Sequence, residues 1–259
     1  MDLGLKGRTA IVCASSRGLG RGCAEALARE GVRVIINGVD QERLARVASE
    51  IADATGAEII PVAGDVSLAA TQDALLKAAP EPDILVNNNG GPPLKDFREL
   101  DRAAIAEGVV QNMITPIELI QRVIDGMTAR KFGRIVNITS SSVKAPIVGL
   151  DLSSGARAGL TAFLAGVCRT VAADNVTVNG ILPGRFDTDR LRGNISRTAE
   201  RMGTSLDDAR TASTSQVPAK RFGTADEFGD LCAYLCSAQA GYITGQNVLI
   251  DGGLVNTSF

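Results

Sequence analysis

Seven short runs of aliphatic and β-branched residues, separated by longer stretches with helical periodicity, constrain the fold of this chain most strongly. The runs lie at residues 9–12, 32–36, 59–62, 84–86, 134–138, 176–179 and 247–250. Runs that are apolar throughout are typical of strands covered on both faces, and the intervening helices supply the crossovers that parallel strands need. The sequence therefore predicts an α/β fold, a doubly wound parallel seven-stranded sheet, in a single domain over residues 1–259.

The charge balance and the lack of long apolar segments narrow the class of partner. The chain has 27 basic and 29 acidic residues, a net charge of -2, and neither sign forms a long run. We therefore expect no nucleic-acid partner and no membrane partner. No stretch reaches the roughly 18 uninterrupted apolar residues of a membrane helix, and the first residues do not resemble a signal peptide. A cytoplasmic protein with a small-molecule substrate is expected.

The histidine and cysteine content excludes further classes of site. The chain contains no histidine, which excludes hydrolases that depend on a Ser-His-Asp or Cys-His arrangement. Its five cysteines are an odd number among apolar neighbours, so we expect them to be reduced and buried. Cys232 and Cys236 lie four residues apart on a predicted helix, but the chain has no histidine or second cysteine pair to complete a zinc site. No metal site is predicted.

A glycine-containing turn directly follows the first predicted strand. It runs Cys13-Ala14-Ser15-Ser16-Arg17-Gly18-Leu19-Gly20 and leads into a helix. Gly18 lets the backbone approach a pyrophosphate, Gly20 lets the helix pack against the strand, and the helix N-terminus offers free N–H groups to phosphate charge. The turn therefore predicts a dinucleotide site, in which we place Ala14, Ser16, Arg17, Gly18, Leu19 and Gly20.

This turn resembles the TGxxxGxG segment of the short-chain dehydrogenase/reductase family, with Cys13 for Thr and Ala14 for the first Gly. Further similarities run along the chain at Asp65-Val66, Asn87-Asn88-Asn89-Gly90, Asn112, Pro183-Gly184 with Thr188, and Asp251-Gly252-Gly253. The resemblance implies a Rossmann-type fold and a nicotinamide cofactor held also by Asp65, Val66, Asn88, Asn89, Gly90, Pro183, Gly184 and Thr188. It implies that Asn112 supports the active site. Similar reductases act on 3-oxoacyl thioesters.

The end of the second strand bears on the choice of dinucleotide. The segment reads Ile36-Asn37-Gly38-Val39, and Gly38 stands where members that use NAD carry Asp. We place Asn37 and Gly38 at the adenosine ribose. An acidic residue there would select NAD, whereas an Arg such as Arg17 favours the extra phosphate of NADP. We expect NADP as the cofactor. NAD remains the alternative, because Asp40 follows closely and is acidic.

The segment after the fifth strand departs from the family at its most important positions. Ser140 resembles the catalytic serine, which polarises the substrate carbonyl. Thirteen residues later the family has Tyr, and four residues after that Lys, but this chain has Ser153 and Arg157. An aliphatic hydroxyl lacks the acidity and reach of a phenol. Arg157 can still bond the nicotinamide ribose, but its permanent charge prevents a Lys-like proton relay.

Another group must then supply the proton if hydride transfer is retained. Lys144, four residues after Ser140, is the candidate by position, provided that burial lowers its pKa; the alternative is an ordinary surface lysine. Asp151 lies near the site, and we expect it to cap a helix. Tyr234 and Tyr242, the two tyrosines of the chain, have apolar neighbours and are expected to pack in the core.

Two further segments shape the site and the assembly. The polar stretch 190–220 is either a substrate lid or a solvated helix-loop excursion, and it shapes the pocket together with Gly91-Pro92-Pro93. The predicted helix 152–173 is rich in small residues, so it can pack against a second copy in a homodimer or homotetramer.

Three functions remain open from the sequence. The first is an NAD(P)-dependent oxidoreductase acting on a carbonyl or alcohol, with a non-standard proton donor. The second is a catalytically impaired or regulatory dinucleotide-binding protein, and the third is non-redox acid/base chemistry in the same pocket. The motifs from Arg17 to Thr188 favour a working cofactor site, whereas Ser153 and Arg157 favour altered chemistry.

Overall fold

A computed structural model describes residues 1–92 and 94–257 and contains one seven-stranded sheet in which every neighbouring pair of strands is parallel. The strands are β1 Thr9–Val12, β2 Arg33–Gly38, β3 Ile59–Ala63, β4 Ile84–Asn87, β5 Gly133–Ile138, β6 Val176–Pro183 and β7 Asn247–Ile250. Their order is β3-β2-β1-β4-β5-β6-β7. The predicted doubly wound α/β fold is confirmed. Because the winding reverses between β1 and β4, the crevice at the carboxyl ends of these strands is the expected ligand site.

Nine α-helices occur in the described part of the chain. They are α1 Gly18–Arg29, α2 Gln41–Thr55, α3 Ala69–Ala78, α4 Arg102–Val109, α5 Thr115–Ala129, α6 Asp151–Val171, α7 Asp189–Met202, α8 Leu206–Ser215 and α9 Ala225–Cys236. A π-helical turn, Val110–Ile114, joins α4 to α5. None of the described helices is long and apolar enough to cross a membrane.

The strand residues alternate between two apolar cores, as successive side chains of a strand must. Ala10 and Val12 pack on one face of the sheet with α1, α2 and α9, whereas Ile11 packs on the other face with α3, α5 and α6. Helices α1 and α9 approach so closely that a Cβ on Gly229 would lie 2.2 Å from the Gly22 carbonyl oxygen. Glycine at positions 22 and 229 therefore determines how closely α1, which begins at the glycine turn, packs against α9.

The cysteine prediction is confirmed, because all five cysteines are buried and none forms a disulfide. Burial raises the pKa of Cys13 to about 12, so this thiol remains protonated at neutral pH. Among the described residues, no group of three or more histidine, cysteine, aspartate or glutamate side chains is placed to hold a metal ion.

The prediction that both tyrosines pack in the core is wrong. The side chain of Tyr234 is 38% exposed and that of Tyr242 is completely exposed. Tyr234 lies on the outer face of α9, whose other face buries Cys232 and Cys236, and Tyr242 ends a short 3₁₀ turn before β7. Apolar neighbours in sequence did not reveal which face of the helix is covered.

One other local prediction is revised by the structure. Asp151 is the first residue of α6 rather than its cap, and the cap residue Leu150 makes no side-chain hydrogen bond to the helix. The stretch 190–220 contains most of α7 and all of α8, and its assignment as a lid or as a solvated helix-loop excursion stays a prediction. Pro93, which was expected to help shape the pocket, lies outside the described residues.

Candidate active site

The turn between β1 and α1 is held in place by the end of β2. The Ala14 N–H donates to Asn37 Oδ1 at 3.2 Å, and the Ser15 N–H donates to the Asn37 carbonyl at 2.7 Å. Asn37 Nδ2 donates in turn to the carbonyls of Val62 and Gly64, each at 3.0 Å. Asn37 is 1% exposed, so its side chain builds the wall of the predicted ribose site rather than presenting free polar groups to it.

The two glycines of the turn differ in their surroundings. A Cβ on Gly20 would lie 2.5 Å from the Ala14 carbonyl oxygen, so only glycine allows α1 to pack against the turn. Gly18 has φ +58°, and a Cβ there would lie 3.6 Å from Thr188 Cγ2. The turn and the segment after β6 therefore face each other across the crevice.

The N-terminus of α1 fits a phosphate group. Its cap residue, Arg17, makes no side-chain hydrogen bond to the helix, and the first turn carries no acidic residue. The first backbone N–H groups therefore remain available to an anion. Arg17 is exposed and has no ion-pair partner among the described residues, while Ser16 and Leu19 are half-buried beside it.

No acidic side chain points at the predicted adenosine ribose from Gly38. A Cβ on Gly38 would lie 2.9 Å from Ser16 Oγ, so this serine fills the adjacent space. Asp40 caps α2 by accepting the Arg43 N–H at 3.0 Å, and this hydrogen bond, together with the Arg43 charge, lowers its pKa. The carboxylate of Asp40, the reason for keeping NAD as an alternative, is thus hydrogen-bonded to its own helix.

Polar groups after β3 and β4 complete the cofactor side of the crevice. Asp65 Oδ1 accepts the Ser67 N–H at 2.9 Å, and Val66 is buried beside it. Asn88 Nδ2 donates to the Ala14 carbonyl at 3.1 Å, which links β4 to the glycine turn. Asn89 Nδ2 donates to the carbonyl of Gln111 at 3.2 Å.

Two glycines mark where a ligand can approach the backbone and where it cannot. A Cβ on Gly90 would meet nothing within 4 Å, so the backbone after β4 borders open space. Gly184 follows Pro183 at the end of β6. A Cβ on Gly184 would lie 2.5 Å from the Cβ of Asp251. Gly184 therefore serves packing against the Asp251-Gly252-Gly253 segment.

Ser140 follows β5 at the carboxyl edge of the sheet. Its Oγ accepts the Ser142 N–H at 3.1 Å and donates to no described residue. The side chain is half-buried, so its hydroxyl hydrogen is free to bond a ligand. The position matches the one predicted for the group that polarises a carbonyl.

Ser153 and Arg157, hereafter the Ser153–Arg157 pair, lie one turn apart on the buried face of α6. Arg157 Nε donates to Ser153 Oγ at 3.2 Å, and Nη1 donates to the Ile138 carbonyl at 2.6 Å. The two residues are 5% and 8% exposed. Burial, aided by the positive charge of Arg190, lowers the pKa of Arg157 to about 10, which still leaves the guanidinium charged at neutral pH.

Asn112 lies in the π-helical turn between α4 and α5, a distortion that is common at functional sites. It is 2% exposed, and its Nδ2 donates to the Gly108 carbonyl at 3.2 Å. Its Oδ1 has no partner among the described residues. The π turn thus aims an unpaired acceptor into the interior.

A small polar cavity of about 20 Å³ lies between this turn and the Ser153–Arg157 pair. Asn87, Asn112 and Thr115 line it, and each presents a buried oxygen without a partner in the described structure. Arg157 lines the same cavity. The volume and the polar walls suit a water molecule, so the catalytic side of the crevice has an internal polar pocket.

Lys144 does not meet the condition set for it as a proton donor. Its side chain is exposed, so the burial that this role required is absent. Thr188 begins α7 by accepting the Leu191 N–H at 3.4 Å, and Arg190 follows it on the first turn. The roles predicted for the site residues remain predictions.

Sequence reasoning missed three residues that the structure brings to the site. Thr115 lines the polar cavity, and Asn137 Oδ1 accepts Asn87 Nδ2 at 3.0 Å between adjacent strands. Arg190 Nη2 donates to the Pro92 carbonyl at 3.1 Å, which links α7 to the loop after β4. The polar residue Asn137 within an apolar strand was a signal, but nothing in the sequence indicated the placement of Arg190.

Comparisons with known proteins agree with this arrangement. A family model described as enoyl-(acyl carrier protein) reductase matches residues 13–255. The chain is 31% identical to a 3-oxoacyl-[acyl-carrier-protein] reductase of Aquifex aeolicus, over 98% of this chain and 100% of that protein. It is 30% identical to an NADPH-dependent reductase of Bacillus subtilis, over 95% of this chain and 97% of that protein.

Solved structures extend the similarity to three dimensions. The L-sorbose reductase of Gluconobacter frateurii, complexed with NADPH and L-sorbose, superposes with a TM-score of 0.94 at 26% identity, over 99% of this chain and 100% of that chain. The predicted class, an NAD(P)-dependent oxidoreductase, is confirmed at the level of the family. This chain belongs to the short-chain dehydrogenase/reductase family.

Proposed function

We propose that this protein is an NADPH-dependent reductase that converts a carbonyl compound to an alcohol. The observation that carries the proposal is the Ser153–Arg157 pair, which remains buried and hydrogen-bonded on α6 although both residue types differ from the family pattern. Burial of a guanidinium without a carboxylate partner costs folding free energy. A site without a function is therefore not expected to retain one in the interior.

The chain's own groups fit the dinucleotide. The free N–H groups at the start of α1 and the backbone at Gly18 would hold the pyrophosphate. Asp65, Val66 and Asn88 would line the adenosine side, while Thr188 and Arg157 would hold the nicotinamide side. When bound, the cofactor supplies the hydride that is added to the carbonyl carbon.

NADPH rather than NADH is favoured by charge. Gly38 leaves the ribose site without a carboxylate, Asp40 is engaged as a helix cap, and Arg17 is unpaired. A phosphate on the ribose would therefore meet a cation and no nearby acid. The NADPH named with the relatives from Bacillus and Gluconobacter supports the same choice.

The oxygen of the substrate would be held by hydroxyl groups. Ser140 and Ser153 each accept a hydrogen bond within the protein and donate to no described residue, so both hydroxyl hydrogens can point at the carbonyl oxygen. As negative charge develops on that oxygen, the Arg157 guanidinium stabilises it through Ser153. The product alkoxide then takes its proton from solvent, so Ser153 holds and polarises the oxygen but does not itself ionise.

Such a route has a distinct pH dependence. A Tyr/Lys pair would titrate within the working range, whereas Ser153 does not ionise and Arg157 stays charged until its pKa of about 10. We therefore expect kcat for reduction to be constant from about pH 6 to about pH 9. A bell-shaped profile centred within that range would contradict this proton route.

The competing candidate is a protein that binds the dinucleotide without turnover. The exposure of Lys144 favours it, because the one lysine predicted to donate the proton is not buried. The two functions are separated by titrating NADPH fluorescence and then following NADPH oxidation with aliphatic ketones, sugars and 3-oxoacyl thioesters. Oxidation with a defined alcohol product supports the reductase; binding with no oxidation across the panel contradicts it.

We also propose that the protein is a cytoplasmic homodimer or homotetramer. The outer face of α6 supports an assembly, since Gly155 and Gly166 border open space and the Phe163 side chain is 47% exposed. Light scattering should give a multiple of 26.9 kDa, which Phe163→Glu should reduce. A monomeric wild-type mass would overturn the assembly. The unbridged cysteines suit a reducing compartment.

A further inference from the structure

One side chain fastens together the two elements that carry the proposed carbonyl site. Arg157 Nε donates to Ser153 Oγ at 3.2 Å, and its Nη1 donates to the Ile138 carbonyl at 2.6 Å. Ile138 is the last residue of β5, and Ser140 follows it by two positions. The start of α6 is therefore held at the carboxyl end of β5, and Ser153 lies at the same edge of the sheet as Ser140.

The two hydroxyl groups at this edge can donate hydrogen bonds but stay neutral. Ser140 Oγ accepts the Ser142 N–H at 3.1 Å, Ser153 Oγ accepts from Arg157, and neither hydroxyl donates to a described residue. A serine hydroxyl does not act as an acid near neutral pH, whereas the phenol of a tyrosine can. The two serines can therefore polarise a bound carbonyl group, but they do not protonate it.

The titratable side chains nearest in sequence to the two serines are not placed to act as the acid. Lys144 and Asp151 lie between Ser140 and Ser153 in the chain, and both are exposed. Asp151 is two residues before Ser153 on α6, and residues two apart on a helix do not face each other. The guanidinium of Arg157 bonds Ser153, but it does not give up a proton near neutral pH.

Other side chains that commonly donate protons lie elsewhere or are engaged. The chain contains no histidine. Tyr234 is in the last turn of α9 and Tyr242 directly precedes β7, which places both toward the amino edge of the parallel sheet, opposite Ser140. After β6, Asp187 and Asp189 are ion-paired with Arg192, which favours their ionised form.

Reduction of a ketone held in this way separates the transfer of hydride from the transfer of the proton. The carbonyl carbon accepts the hydride from NADPH, which leaves as NADP⁺, and the π electron pair moves to the oxygen as the new C–H bond forms. The alkoxide then takes a proton from water, and buffer neutralises the hydroxide. Hydrogen bonds stabilise the alkoxide, but its negative charge develops before any proton arrives. The barrier therefore depends strongly on how well the substrate itself withdraws that charge.

We propose that the substrate is an electron-poor ketone of the 1,2-dicarbonyl class, whose reacting oxygen is held by Ser140 and Ser153. This inference rests on the proposed reductase function and adds the substrate class to it. The second carbonyl group withdraws charge from the alkoxide, and in this way the substrate supplies part of the stabilisation that an acid would otherwise give.

The loops beside the site indicate apolar substituents on this dicarbonyl compound. The Lys95 N–H donates to the Gly149 carbonyl at 3.0 Å, which joins the loop after β4 to the loop between Ser140 and α6. These two loops carry Leu94, Ile147 and Val148, whose exposed fractions are 44%, 42% and 96%. Alkyl or aryl groups on the ketone can cover these apolar side chains.

The first test uses three ketones with the same carbon skeleton. 1-Phenylpropane-1,2-dione has both carbonyl groups, whereas propiophenone and phenylacetone each lack one of them. We expect kcat/KM with NADPH to be at least about 10²-fold higher for the dione than for either monoketone, the lower end of what a general acid contributes. A smaller ratio would overturn the proposal.

The timing of the proton is measured separately in a single turnover of the dione complex. Hydride transfer is followed by NADPH absorbance, and deuterium at the transferred position of NADPH should slow it. The same step should have equal rates in H₂O and D₂O, because the proton arrives after the C–H bond has formed. A slower hydride transfer in D₂O would show that a proton moves with the hydride, which contradicts the proposal.

A spectroscopic measurement tests the carbonyl site without turnover. The infrared carbonyl stretch of ¹³C-labelled 1-phenylpropane-1,2-dione is recorded with the free protein and with its NADP⁺ complex. Binding should shift the stretch to lower frequency, since two hydroxyl donors polarise the bond. Ser140→Ala and Ser153→Ala should each reduce the shift, and the matched control Ser142→Ala should keep it. A wild-type protein that binds the dione without this shift, or that does not bind it, would overturn the proposal.

Failure of the reductase proposal has a different signature. If NADPH is oxidised by none of the three ketones or by the wider panel, the reductase function fails, while the infrared shift still decides whether the two serines hold a dicarbonyl compound. If all three ketones are reduced with similar kcat/KM, the reductase proposal stands and the inference of an electron-poor substrate fails.

Discussion

The glycine turn and the catalytic side of the crevice differ in how fully their polar groups are satisfied. Around the turn, the side-chain N–H groups of Asn37 and Asn88 donate to backbone carbonyls of the protein. In the described structure, Asn87, Asn112 and Thr115 each present a buried oxygen without a partner to the cavity that Arg157 also lines. The side-chain amides at the turn are therefore satisfied within the protein, and the turn offers a ligand its backbone N–H groups and Arg17, whereas the Arg157 side of the crevice keeps buried side-chain oxygens unpaired.

The largest effect is expected where the free hydroxyl at Ser140 meets the substrate. Ser140→Ala should lower kcat for carbonyl reduction by about 10²- to 10³-fold, because it removes a donor to the developing oxyanion. NADPH affinity, measured by fluorescence titration, should not change. Ser142→Ala, which removes a buried hydroxyl without a partner in the same turn, is the control and should have little effect on kcat. Equal losses in both variants would contradict a specific role for Ser140.

On the turn, the next effect is a change of cofactor preference. Gly38→Asp should reduce the ratio of NADPH to NADH affinity by about 10- to 100-fold, since a carboxylate would oppose the ribose phosphate. Its Cβ would lie 2.9 Å from Ser16 Oγ and 3.0 Å from Ser16 Cβ, so the turn must shift by a few tenths of an ångström to admit either variant at this position. The neutral variant Gly38→Asn has nearly the same size and should keep the preference. An identical shift in Gly38→Asp and Gly38→Asn would show that the size of the side chain, not its charge, determines the cofactor preference.

The catalytic side should gain stability when its buried charge is removed. Arg157→Met should raise the free energy of unfolding by about 1–2 kcal/mol, because it replaces an unpaired buried charge by an apolar side chain of similar length. Urea denaturation measures this difference. A destabilised Arg157→Met would show that the hydrogen bonds to Ser153 and Ile138 outweigh the cost of the buried charge.

The pH dependence of that difference follows from the lowered pKa of Arg157. Burial in the folded protein lowers this pKa from its usual value to about 10, so the folded protein holds the proton less tightly than the unfolded chain. The penalty of the buried charge is complete below pH 10 and fades as the pH rises through that value. The advantage of Arg157→Met should therefore be constant near neutrality and shrink above about pH 10. If Arg157→Met stays more stable than the wild-type protein by the same amount above about pH 10, this expectation is contradicted.

The smallest effect concerns the backbone of the turn itself. Ala14 adopts φ +45°, a left-handed conformation that favours glycine. Ala14→Gly should raise the free energy of unfolding by up to about 1 kcal/mol, after the greater flexibility of the unfolded glycine chain is subtracted. Thermal unfolding measures it. A destabilised variant would show that the Ala14 methyl contributes packing that outweighs the strain.

The fold and the phosphate turn could be predicted because both depend on local patterns. Apolar runs alternating with helical periodicity specify a covered parallel sheet, and the spacing of Gly18 and Gly20 after β1 specifies the turn. The register from Ser140 through Ser153 to Arg157 likewise placed three polar groups at one edge. These features follow from sequence distances within one strand or one helix.

Features that depend on how distant elements meet could not be predicted in the same way. Arg190 reaches Pro92 because α7 crosses the loop after β4, 98 residues earlier in the chain. The exposure of Lys144 and Tyr234 depends on which surface a neighbouring element covers, and a local pattern does not contain that information. The unpaired oxygen of Asn112 lies in a π turn, which the local residue pattern does not predict.

If the buried charge at Arg157 is kept for the cofactor, NADPH should stabilise the wild-type protein more than it stabilises Arg157→Met. At an NADPH concentration about 100 times the dissociation constant, wild-type protein should gain about 2.7 kcal/mol of stability. Arg157→Met, more stable alone, should gain much less at the same concentration. An equal gain in both proteins would contradict the claim that Arg157 binds the cofactor and is retained for that purpose.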